Sequence, residues 1–129
     1  MPSRSSRSRS LFSLLWRSAN HDDIQTLIRR LIRLTRKAFS SQAIVQELTY
    51  SDAIAYLVDH KPNDPRFAKG AILLQPQKQG ILTFFLFLAA DNTPLSDSDG
   101  KFYGKKILGR KLDEELLEAF DGTELLLLE

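Results

Sequence analysis

The chain contains no cysteine. That excludes a disulfide framework, a thiolate metal site and a cysteine nucleophile together. Nor does it need a covalent staple. A single domain of 129 residues with 43% apolar content can fill one core, burying roughly two-thirds of its unfolded surface. Long apolar runs are missing as well. The longest, Ile81 to Ala90, covers ten residues and is interrupted by Thr83, whereas a membrane-spanning helix needs about twenty. Histidine is scarce: His21 and His60 are the only two, and they have no metal-ligand spacing. Asp59 adjoins His60, but sequence neighbours do not share a helix face. No Gly-x-Ser-x-Gly elbow occurs. These gaps leave no catalytic residue, metal or cofactor to assign, so an enzyme is the third-ranked reading.

What is present is a divided charge. Residues 1–40 carry nine Lys/Arg against Asp22 and Asp23, a balance of +7. Residues 41–129 carry nine against fourteen Asp/Glu, a balance of −5, leaving the chain at +2. Such asymmetry points to an anionic partner for the basic part, whether nucleic acid, an anionic membrane surface or an acidic protein. Residues 1–10 have no large apolar side chain after Met1 and cannot offset the entropy of ordering. With the short apolar cluster Leu11, Phe12, Leu14, Leu15 and Trp16, they make residues 1–19 a basic, Ser/Arg-rich flexible arm before a domain over 20–129. The chain reads as cytoplasmic; the alternative is organelle targeting, because the first twenty residues are acid-free and rich in Ser and Arg.

Asn20 to Ser40 has helical periodicity. Ile24, Leu27, Ile28, Leu31, Leu34 and Ala38 recur at three- and four-residue spacing, with Arg29, Arg30, Arg33, Arg36 and Lys37 between them. Asn20 suits the N-cap, with Asp22 and Asp23 in the first turn. Ala43 to Leu48 reads as a strand. Ser51 or Asp52 caps a second helix that ends near His60, ahead of the Pro62–Pro65 loop. Ala71 to Gln75 is a strand, with Pro76 at a sheet edge or in the turn. After the turn Gln77–Gly80 comes Ile81 to Ala90, apolar on both faces and therefore central. Asp91 to Gly100 is an acidic loop and Lys101 to Leu108 a strand. Asp113 caps a helix carrying Leu116, Leu117 and Phe120, Gly122 ends it, and Thr123 to Glu129 closes as a strand.

The order α-β-α-β-β-β-α-β predicts an α+β fold: a mostly antiparallel sheet of about five strands packed with two or three helices. Three short helices are thin cover for a sheet whose central strand is apolar on both sides. Either the helices split between the two faces or one face is buried against another chain; a homodimer or another protein partner is expected.

Two motifs fail on inspection. Asp97-Ser98-Asp99-Gly100 has the heart of a calcium loop, but the EF-hand frame puts Leu95 and Lys106 at ligand positions. Gly104 and Gly109 have P-loop spacing, but Arg110 and Lys111 stand where Lys and Ser/Thr are required. Asp113, Glu114, Glu115 and Glu118 read as a solvated acidic helix face. The candidate binding residues are thus basic: Arg29, Arg30, Arg33, Arg36 and Lys37 on the first helix, and Lys101, Lys105, Lys106, Arg110 and Lys111 around a strand where Phe102 and Tyr103 interleave aromatic faces. The sequence reads best as a small non-catalytic binding or regulatory protein acting through protein–protein contacts. A nucleic-acid-binding protein using the basic arm and helix is the alternative. The two differ in layout. A nucleic-acid binder needs Arg29, Arg33, Arg36 and the Lys105 region on one surface, and a protein adaptor needs an exposed apolar patch or a free sheet edge.

Overall fold

The computed structural model describes residues 21–35, 39 and 43–129. The arm over 1–19, the cap at Asn20, and Arg36, Lys37 and Ala38 lie outside the described residues. The elements are α1 (His21–Thr35), β1 (Ala43–Leu48), α2 (Tyr50–Asp59), β2 (Lys69–Gln77), β3 (Gly80–Leu88), β4 (Gly104–Leu112), α3 (Glu114–Phe120) and β5 (Leu125–Leu128). The fold is α+β, and the element order is the one the sequence predicts. The five strands form one mixed sheet in the order β1-β4-β3-β2-β5. β1 runs parallel to β4, and the other three pairings are antiparallel.

β3 is central and has a different core on each face, as its doubly apolar sequence requires. Phe85 and Phe87 share a core with Ala53, Ile54 and Leu57 of α2 and Leu116 and Phe120 of α3. Leu82, Phe84, Leu86 and Leu88 share the other with Ile24, Leu27, Ile28 and Leu31 of α1. The helices are therefore split between the faces, and the central strand is covered without a second chain. No helix among the described residues is long and apolar enough to cross a membrane.

Several boundaries move from their expected places for identifiable reasons. Strand β2 runs through Pro76, which pairs with Ile81. It is tolerated because β5 flanks β2 only from Gly70 to Leu73, so no ladder bond is required on the other side of Pro76. Only Lys78 and Gln79 remain as the hairpin loop. The fourth strand starts at Gly104 rather than Lys101, because Phe102 is drawn into a bridge with Ser96. Gly104 has φ +123°, and a Cβ there would lie 1.9 Å from the Phe85 carbonyl oxygen. The strand then continues to Leu112, held by its parallel partner Leu48.

Helix α2 begins earlier than expected, with Thr49 as N-cap accepting from the Asp52 amide. Asp113 caps α3 as predicted, accepting from Leu116 N at 2.9 Å. The same oxygen accepts from Tyr50 N at 3.0 Å, so one carboxylate ties the starts of two helices. Helix α3 ends on Asp121 and Gly122, both at positive φ.

Candidate functional site

Among the described residues, the basic side chains singled out in the sequence do not form one surface. Arg29, Arg30 and Arg33 are exposed on α1. Arg30 is tethered: its Nη2 donates to the Asp91 and Asn92 carbonyls at 3.3 and 3.5 Å, fixing the helix to the loop after β3. Lys105 and Lys106 are consecutive on β4 and so point to opposite faces of the sheet. Lys106 lies on the α1 side and donates to the Phe39 carbonyl at 2.6 Å. Lys105 lies on the α2 side, over the Tyr56 ring at 4.5 Å. Lys101 is exposed in the loop before β4, and Arg110 and Lys111 are exposed near its far end. The sheet thus separates Lys105 from the α1 arginines.

The acidic motif is occupied by its own backbone. Asp97 Oδ1 accepts from Asp99 N at 2.9 Å and Lys101 N at 3.0 Å. Among the described residues, no group of three or more His, Asp and Glu side chains is arranged to hold a metal ion.

Strand β1 is one edge of the sheet. It pairs with β4 alone among the described strands, so its outer backbone N–H and C=O groups have no ladder partner there. Ala43, Ile44, Gln46 and Glu47 are exposed, and Ile44 at 58% is the most exposed large apolar side chain described. Val45 and Leu48 both reach the core under α2, as do Ile107 and Leu112 of β4. The alternation therefore slips once along this pair, where the register is interrupted at Gln46 and Arg110. The opposite edge is different in kind: all four residues of β5 are buried.

A second cluster gathers where α2 ends, the Pro62–Pro65 loop passes and β4 begins. Tyr56 and His60 lie four residues apart on one helix face, and their rings stack at 4.2 Å and 19°. His60 Nδ1 also lies 3.1 Å from the Tyr56 carbonyl. Beneath them Tyr56 meets Phe85 at 5.0 Å, and Phe87 meets Phe67 at 5.9 Å. Burial pushes the Tyr56 hydroxyl pKa up. Lys61 stands 5.8 Å from the Phe67 ring centre. Arg66 closes the rim: its Nε and Nη2 both donate to the Asp64 carboxylate, at 3.0 and 2.7 Å. Hydrogen bonding from Arg66 holds Asp64 down at about 2. Asp64 in turn raises the guanidinium pKa, with a smaller contribution from Tyr103.

Sequence reading missed Tyr56, His60 and Phe67 as a group. The i, i+4 spacing of Tyr56 and His60 was the signal to follow. In sequence His60 stands out for its neighbour Asp59 instead, and that pairing leads nowhere. Comparison with protein families, curated proteins and solved structures finds no match for this chain.

Proposed function

We propose that this is a small non-catalytic binding protein that acts through protein–protein contact, taking an extended segment of a partner onto the open edge of β1. The observation that carries the reading is the edge itself: a six-residue strand, hydrogen-bonded on one side only among the described residues and exposed at four of its six positions. An unpaired row of backbone donors and acceptors is a template for another strand. Main-chain hydrogen bonds then supply affinity and alternate side chains supply selectivity. Ile44 offers an apolar contact on one face of an added strand, while Glu47 supplies a charge that discriminates among partners. Both sheet faces are covered while this edge has no partner strand among the described residues, so a partner gains the edge without unfolding anything.

A second copy of the chain can use the same edge, with two β1 strands antiparallel about a two-fold axis. In this reading the protein is cytoplasmic and has no substrate.

The test is selection of extended peptides from a random library on the full chain, followed by amide hydrogen exchange. Binding peptides are expected to slow exchange within residues 43–48 and to weaken when Ile44→Lys puts a charge on the edge. Selected peptides that leave those amides unprotected would overturn the edge reading. Light scattering of the protein alone separates a homodimer from a monomer awaiting a different partner.

A further inference from the structure

The cluster at the end of α2 has the layout of a stacking platform. His60 is exposed and lies nearly parallel on Tyr56, which is anchored by Phe85 in the core. A flat ring stacked on a core-anchored neighbour offers a further ring a face to stack on. Lys105 and Lys61 are held beside aromatic faces. Among the described residues the single ion pair is Arg66–Asp64, so neither ammonium has a carboxylate partner there and their hydrogen-bond donors remain open to a ligand. Asp64 is already paired with Arg66, which leaves Asp59, exposed beside His60, as the nearby acid in sequence.

We propose that this surface binds single-stranded nucleic acid, with a base stacking on His60 and backbone phosphates meeting Lys105 and Lys61. Aromatic faces interleaved with cations are what sequence-tolerant single-strand binders present. A phosphopeptide is the competing anionic ligand, and the observations disfavour it. Such recognition relies on an arginine fork, and the one arginine in the cluster has its fork committed to Asp64. The site uses no residue of β1, so its test is separate from that of the edge reading.

The experiment measures fluorescence anisotropy of a labelled oligouridylate of about twelve nucleotides, within the span of known single-strand sites, against the full chain at low salt. His60→Ala is expected to weaken binding about tenfold, the scale of one lost stacking contact, and Lys105→Gln to weaken it and reduce its salt dependence. The aromatic NMR signals of Tyr56 and Phe67 should shift on saturation. These signals keep the test decisive should either variant lose melting temperature. Absence of binding at low salt overturns the proposal. So does unchanged affinity in both variants while Arg29→Glu/Arg33→Glu abolishes binding, because the polyanion would then sit on α1. Equal competition by uridine monophosphate or by a tyrosine-phosphorylated peptide overturns it as well.

Discussion

The carboxylate of Asp113 satisfies the first turn of α3 through Leu116 N and also the Tyr50 amide at the start of α2. Replacing a capping Asp with Ala costs about 1 kcal/mol, and depriving a second, part-buried amide of this acceptor adds about 1–3 kcal/mol. Asp113→Ala is therefore expected to lower the unfolding free energy by roughly 2–4 kcal/mol in urea titration. A loss near that of a simple cap would show that the Tyr50 amide finds another acceptor. The Asp64–Arg66 pair behaves oppositely, being visible in titration more than in stability. Its carboxyl is lowered to about 2, against an ordinary value of about 3.9. A group lowered on folding contributes above its unfolded pKa and loses that contribution as pH falls through the folded one. The window therefore runs from about pH 4 down to about pH 2. With the arginine open to solvent, little stability is at stake. Carboxyl NMR should place the Asp64 midpoint at about 2 and return it to the ordinary range in Arg66→Gln. An ordinary midpoint in the unmodified chain would mean the pair is not formed in solution.

Among the elements, α1 and β3 were the most legible, because each writes its environment in its period. The three- and four-residue spacing of Ile24, Leu27, Ile28 and Leu31 marks the one face that meets the sheet. The unbroken apolar run of β3 marks a strand covered twice. β4 was less legible. Its start is decided by the bridge between Ser96 and Phe102 and by the close approach of Gly104 to Phe85, neither of which has a local signature. The basic residues of β4 misled for a related reason: strand alternation sends Lys105 and Lys106 apart, so a run of charge in sequence becomes two half-sites in space. The aromatic cluster could not be read whole, since Lys105 joins Tyr56 only after β4 is paired into the sheet. For α1 the packing makes a quantitative prediction. Leu31 is fully buried in the core between helix and sheet, and Leu31→Ala should cost about 2–5 kcal/mol by leaving a cavity. Arg29→Glu with Arg33→Glu, both on the exposed face, should cost less than about 1 kcal/mol, since Glu and Arg have similar helix propensity. A large loss from the double variant would mean that those arginines hold the helix to something beyond its apolar face.

At the scale of the whole molecule, the question is whether the fold depends on association. The doubly apolar β3 sequence by itself allows two solutions: helices split between the sheet faces, or one face buried against a partner chain. The structure divides that burden internally: α2 and α3 cover one face and α1 the other, leaving Phe84, Phe85, Phe87 and Leu88 all buried. Association at the β1 edge would then add to a fold that is already complete, rather than complete it. The two cases differ in how stability depends on concentration. An obligate dimer gains about 2.7 kcal/mol per dimer for a hundredfold rise in protein concentration, which shared over two domains of this size moves the melting temperature by roughly 5 °C. The full chain is expected to melt at the same temperature across such a series, by circular dichroism at the dilute end and calorimetry at the concentrated end. A midpoint that climbs with concentration would show that folding and assembly are one step, and that the helices seen over the sheet are insufficient cover by themselves.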